Sequence, residues 1–270
     1  MTDGRSTSEN PHGDTVPAVD PDVARMTVGV FRPDDGRLDG AVELLEALGA
    51  DPVPDPMLAV EPTGAAPRED ADVAVLTSTT GVELAAGAGW DPGDAVVAAI
   101  GSTTADALRA AGYAVDVVPE EFSSAGLVAA LAPGADGRRI EVARSDHGSA
   151  ELTDGLAAAG AYVHETVLYE LVRPEGSGRS AELAAEGDLD VALFTSSLTV
   201  EHFLDAAEER GIREAAVEGL NGHDAVVGAI GDPTRETARA AGIPVDVVPD
   251  SASFEKLATA AVERAAPSHH

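Results

Sequence analysis

The chain has 270 residues, 48 acidic and 17 basic, for a formal net charge of −31. That surplus, with no cluster of Lys or Arg, excludes nucleic acid as a partner, and the lack of cysteine excludes disulfides, thiolate nucleophiles and Cys-ligated metals. No apolar run suits a membrane span and no basic-then-apolar leader opens the chain, so the expected setting is the cytoplasm, and the acidity reads as adaptation to high salt, where self-repulsion is screened.

Residues 1–25 are rich in Gly, Ser, Thr, Asp and Pro without periodicity and read as a disordered tail, as do 266–270. From Met26 onward, short apolar runs alternate with Ala/Leu-rich helical stretches. "MTVGVF" (26–31) predicts a strand and "DGAVELLEALGA" (39–50) a helix. Strand 73–77 precedes a helix from about Thr80, and strand 95–101 precedes a helix ending at Gly112. Strand 114–119, a helix from Ser123 to Leu131, strand 138–144, a helix to Gly160 and strand 161–171 follow. After a Gly/Ser-rich break at 174–180 come strand 190–195, a helix to Gly211, strand 225–231, a helix to Gly242, strand 244–249 and a terminal helix from Ser253. Continuous apolar strands separated by helices specify parallel sheets covered on both faces.

Internal repeats set the expected topology. "AIGSTTADALRAAGYAVDVVP" (99–119) matches "AIGDPTRETARAAGIPVDVVP" (229–249) at 13 of 21 positions, and "VAVLTSTTGVE" (73–83) matches "VALFTSSLTVE" (191–201). "VGVFRPD" (28–34) matches "IEVARSD" (140–146), aligning Arg32 with Arg144 and Asp34 with Asp146. This last unit precedes the repeated block in one half and follows it in the other. The halves are therefore circularly permuted. The expected fold is two similar, parallel five-stranded, flavodoxin-like α/β domains, one inserted in the other. Domain 1 would hold 26–56 and 177–265, domain 2 would hold 60–168, and a two-segment hinge would run through 57–59 and 169–176.

Ligands of open parallel sheets sit past the carboxyl ends of the strands, where helices begin. Four strand-to-helix turns carry small hydroxyls or glycine there: Thr77-Ser78, Gly101-Ser102-Thr103-Thr104, Thr195-Ser196-Ser197 and Gly231 with Thr234. Free N–H groups and the helix dipole suit carboxylate or phosphate, although N-capping alone also explains Ser and Thr at such places. Arg32 and Arg144, with Ser145 beside it, end equivalent strands and are candidate anion ligands in a chain poor in cations. His147 and His202 have no partnered carboxylate at telling spacing, and Tyr169 falls in the expected hinge. No metal site is expected. The Gly-rich dinucleotide fingerprint, the Walker loop, GxSxG and HExxH are absent. "TSTTGVE" resembles the phosphate loop of flavodoxins, but the aromatics that flank a flavin are not evident.

The ordered set "LFTSSLTVEHF", "AAIGSTTADALRAAGYAVDVVPEEFSSAGLVAAL", "VARSDHGSAELTDGLAAAGAYVHETVLYEL" and "GAIGDPTRETARAAGIPVDVVPDSASFEKLA" resembles the uroporphyrinogen-III synthase family, here in a strongly acidic, haloarchaeal-type form. The resemblance runs from about Met26 to Ala265. It implies cyclisation of linear hydroxymethylbilane in an interdomain cleft, with loss of water and inversion of ring D through a spiro intermediate, and without a cofactor. It implies Tyr169 as the group assisting departure of the hydroxyl, and the four turns as ligands for acetate and propionate carboxylates. The expected partners are this tetrapyrrole and, transiently, the synthase upstream; the chain is expected to be a monomer. A non-catalytic two-domain module binding an anionic ligand is the alternative reading.

Overall fold

The computed structural model describes residues 25–33, 36–222 and 225–266. Asp34 and the expected tails, apart from Arg25 and Ala266, lie outside the described residues. The chain forms two compact units, Met1–Asp55 with Gly178–His270, and Pro56–Ser177. Among the described residues no helix is long and apolar enough to cross a membrane.

The discontinuous unit is built on β1 (Thr27–Val30), β2 (Asp51–Pro54), β8 (Val191–Phe194) and β9 (Val226–Ala229), in the order β2-β1-β8-β9 and all parallel. Alternation of side chains splits its core. Val28, Val30, Val191 and Leu193 pack on α1 (Gly36–Ala47) and α10 (Phe254–Ala265). On the other face Phe31, Phe194 and Phe203, the last on α7 (Ser197–Glu209), meet with centroids 4.8–5.6 Å apart. A fully buried phenylalanine of this kind is worth about 3–5 kcal/mol against alanine. Strand β2 reads "DPVP", which looks like a breaker. It works because Asp51 and Asp55 donate their N–H groups to Met26 and Val30 carbonyls, so the odd positions face β1. Pro52 and Pro54 then fall on the outer edge, where no donor is needed and further strand pairing is blocked.

The inserted unit contains β3 (Ala59–Pro62), β4 (Val73–Leu76), β5 (Val96–Ala99), β6 (Arg139–Ser145) and β7 (Tyr162–Val172), in the order β3-β7-β6-β4-β5. Helices α2 (Thr79–Gly87) and α3 (Ser102–Ala110) contribute to one core with Leu76, Trp90 and Leu168; α4 (Ser124–Leu131) and α5 (Ala150–Ala158) contribute to the other with Ile140 and Val142. Strand β3 runs antiparallel to β7. The orders β2-β1-β8-β9 and β7-β6-β4-β5 match strand for strand, as the permuted repeats require. Three details differ from expectation. The sheets are not both five parallel strands, since one has four and the other carries the antiparallel β3. Residues 169–172, expected in a hinge, end β7, and Ala59 begins β3. Helices α6 (Arg179–Glu186) and α8 (Arg213–Leu220) were not expected; the remaining helix, α9 (Asp232–Ala240), follows β9.

The expected strands at 114–119 and 244–249 shrink to single parallel bridges, Ala98 with Val117 and Gly228 with Val247. The repeated "VDVVP" shows why. Asp116 Oδ2 accepts the Val97 N–H at 2.9 Å, and Asp246 Oδ2 accepts the Val227 N–H at 2.9 Å. In each copy a carboxylate replaces the backbone carbonyl that a longer strand would offer, and the following proline ends the pairing.

Candidate functional site

In each sheet the chain reverses direction of winding between two neighbouring strands: β1 and β8 in the first unit, β6 and β4 in the second. The crevice past the carboxyl ends of such a pair is where open α/β sheets bind ligands. Thr195 and Ser196 follow β8, Thr77 and Ser78 follow β4, and Ser145 ends β6.

Ser78 and Tyr169 are brought together in the inserted unit. Strand β7 carries one extra residue where its register against β6 shifts: Arg144 faces Val167, and Ser145 faces Tyr169. Without that bulge Leu168 and Tyr169 would point to opposite faces; with it both join the same apolar cluster under α2. Tyr169 is therefore a buried strand residue, 7% exposed, rather than part of a hinge. Its phenol donates to Ser78 Oγ at 2.9 Å, and the same oxygen accepts the Gly81 N–H at 3.0 Å as the N-cap of α2. Both lone pairs of Ser78 are used, and the group it has left to offer is its own proton.

Helices α2, α4, α5, α7 and α10 are all capped by a serine hydroxyl. At α7 this is a capping box between Ser196 and Thr199, which takes up part of the donor capacity of the Thr195-Ser196-Ser197 turn. Ser197 Oγ meanwhile accepts from Thr237 at 2.9 Å. Helices α3 and α9, the two that carry the repeat, start instead at Gly101 and Gly231, with no side-chain cap. The first intrahelical bonds are Ala105 N–H to Gly101 carbonyl and Arg235 N–H to Gly231 carbonyl. The amides of Ser102, Thr103 and Thr104, and of Asp232 and Thr234, stand free of the helix ladder; Pro233 has none. Thr104 and Thr234 are 5% and 3% exposed, and neither hydroxyl has a partner among the described residues. Neither glycine is demanded by its backbone, since both are extended, with φ of −167° and −172°. At Gly231 an added Cβ would find nothing nearer than Pro233 Cδ at 3.9 Å. The α9 terminus is open, as a backbone approached by an anion must be. Asp232 is paired with Arg235 at 2.9 Å.

The two arginines part company. Arg144 lies inside β6 with its side chain 6% exposed. Its Nε and Nη2 each hold a Glu165 oxygen at 2.9 Å, and Nη1 donates to the Ser149 carbonyl. Every nitrogen is engaged, so the expected anion-binding role is corrected to a structural clamp; the partner, Glu165, lies 21 residues away in sequence and carries no local signal. Arg32 stacks at 4.9 Å over the Phe254 ring and lines a cavity of about 410 Å³ with Arg37 and Leu44. His147 pairs with Asp146 at 2.9 Å. A cavity of about 520 Å³ lies at the opposite, amino-terminal ends of β6 and β7. Its charges are paired with one another, with His164 Nδ1 2.7 Å from Glu141 and Arg139 3.3 Å from Asp70, and Arg139 also reaches Asp72 outside the cavity at 3.2 Å. Asp72 is held below the ordinary carboxylate range chiefly by the Arg139 hydrogen bond. Among the described residues no three His, Asp or Glu side chains are grouped to hold a metal.

Comparison with known proteins bears on the family and the fold. The family profile described as "Uroporphyrinogen-III synthase HemD" matches residues 39–259. A "Putative uroporphyrinogen-III synthase" of Methanothermobacter thermautotrophicus is 31% identical over 72% of the chain and 81% of that relative. A "Uroporphyrinogen-III synthase" of Chlorobaculum parvum is 27% identical over 61% of the chain and 66% of its own length. Among solved structures, a mutant uroporphyrinogen III synthase from Thermus thermophilus shares the fold, with TM-score 0.63 at 22% identity, covering 89% of the chain and 98% of the other. The enzyme from Helicobacter pylori does so with TM-score 0.57 at 14% identity, covering 89% and 100%.

Proposed function

The chain belongs to the uroporphyrinogen-III synthase family, and from that premise we propose how its own residues serve the reaction. The activity is that of a cyclising lyase: a linear tetrapyrrole loses its terminal hydroxyl as water, and the macrocycle closes with ring D inverted. The substrate ionises readily and closes unaided in the wrong sense. The protein's task is to hold one conformer and steer the closure.

The uncapped amides of α3 and α9, with the Thr104 and Thr234 hydroxyls, take substrate carboxylates. The observation that carries this reading is the pair of glycine N-caps on the two repeated helices, where five other helices use serine. Ser78 donates to the departing hydroxyl. Tyr169 acts through it as a positioning residue, because its own proton is already given to Ser78 Oγ. As the hydroxyl leaves with that proton as water, the exposed carbon is attacked by the substituted carbon of ring D; the spiro intermediate fragments and recloses through the unsubstituted carbon of ring D, and the proton which that carbon loses restores the Ser78 hydroxyl. Arg32 adds a cation to its end of the sheet. The finer setting is a cytoplasmic monomer in high salt, receiving its substrate through transient contact with the upstream synthase; the net charge of −31 supports the salt dependence.

The test supplies hydroxymethylbilane and measures the type III to type I product ratio. Wild-type protein gives type III. Ser78→Ala and Tyr169→Phe both slow formation, with Ser78→Ala the more severe. Type I alone from the wild type refutes the activity; Tyr169→Phe slower than Ser78→Ala refutes the order of the relay.

A further inference from the structure

The aromatic side chains of this protein are few, with 5 Phe, 3 Tyr and 1 Trp. Most serve packing: Phe31, Phe194 and Phe203 meet one another, Trp90 meets Tyr113, and Tyr169 lies under α2. Phe122 is different. It is 61% exposed and lies against Gly101, the uncapped start of α3. A Cβ placed on Gly101 would come within 3.1 Å of Phe122 Cγ and 3.3 Å of Phe122 Cβ. The glycine lets the ring approach this closely, since a Cβ would push it back by a few tenths of an ångström, while the extended backbone itself does not ask for glycine. Thr104, buried at the same helix start with an unpartnered hydroxyl, gives the spot a polar group as well.

An apolar ring beside free amide donors matches one pyrrole unit of the substrate, which pairs a flat π-face with short carboxylate arms. We propose that Phe122 is a platform on which one pyrrole ring packs while an arm of that ring is bound at the start of α3. This rests on the functional reading above and adds a specificity-determining residue to it. The rings of the substrate resemble one another, and so do α3 and α9. Something must tell one end of the chain of rings from the other. The repeat supplies a difference here: continuing the alignment past Pro119 and Pro249 puts Ala252 opposite Phe122, and no side chain but Pro233 approaches Gly231. One copy offers a ring and an unbroken row of amides; the other offers neither.

The test compares Phe122→Ala and Phe122→Tyr with wild type by KM, kcat, product ratio and melting temperature. Because the ring is largely exposed, Phe122→Ala leaves the melting temperature within about 2 °C. It raises KM about 5- to 10-fold and increases the type I fraction, and Phe122→Tyr restores both. Unchanged KM and product ratio in Phe122→Ala, with wild type making type III, overturns this proposal alone. A failure of Phe122→Tyr to rescue, or a KM change that tracks a lost melting temperature, overturns it too by assigning the ring to packing. Type I alone from the wild type brings down the proposal together with the functional reading.

Discussion

Replacing Gly231 with serine separates binding from stability by moving them in opposite directions. The backbone there is extended, with φ −172° and ψ 178°, and an added Cβ meets nothing closer than 3.9 Å, so serine fits without strain. Its hydroxyl would accept the N–H of Thr234, because the preceding residue, Pro233, has none. This is the geometry that Ser196 already adopts on α7, where it accepts from Thr199 at 3.2 Å. Serine exceeds glycine as an N-cap by a few tenths of a kcal/mol, about 1 °C in melting temperature for a domain of this size. The same bond removes a donor from the carboxylate site. A hydrogen bond to a charged group contributes about 1.5–3 kcal/mol, so kcat/KM should fall by about 10- to 150-fold. The assays are calorimetry and steady-state cyclisation of hydroxymethylbilane on the same preparation. Unchanged kcat/KM with a raised melting temperature would mean that the Thr234 amide never meets substrate. A lowered melting temperature would refute the capping geometry itself.

Asp55 pins two distant segments of the discontinuous unit together. It is 2% exposed, and its two oxygens accept the Gly178 and Ser180 N–H groups at 2.7 and 2.8 Å, capping α6. Asp55→Ala should cost about 2–4 kcal/mol in urea unfolding; a loss below about 1 kcal/mol would show that water replaces the carboxylate freely. Substrate and protein are both anionic, so raising salt from about 0.1 to 2 M should lower KM by screening their repulsion, and a KM that is flat or rises with salt would remove long-range charge from the account.

The permuted layout was legible because it is written in repeats, and matching blocks in different order admit few compact solutions. The carboxyl-end turns were legible for the same reason, since strand, turn and helix follow one another locally. What escaped depends on distant partners. Helix α6 looked like a break because its cap is Asp55, 125 residues before Ser180. Strand β2 had no reading in the sequence, because only a sheet edge makes Pro52 and Pro54 acceptable in a strand. Tyr169 was placed in a hinge because the strands that flank it, with Ser145 on one side and Pro62 on the other, are distant in sequence, and a one-residue bulge then decides which face it joins. Arg144 looked like a free cation until Glu165 closed on it. The repeated Asp116 and Asp246 were in plain view, yet their role in shortening a strand appears only when the amides they satisfy are known.

The Asp55 pin also has a bearing on engineering. The chain leaves its first unit at Asp55 and re-enters it at Gly178, and these residues are joined by a single 2.7 Å hydrogen bond. The guest segment therefore departs and returns through one doorway. A host whose doorposts already touch can gain or lose a guest without stretching a loop, which is the geometry that tolerates domain insertion and circular permutation. A short glycine-containing turn from Asp55 to Gly178 should join the remaining four strands directly, leaving one of the two repeated halves to be studied alone.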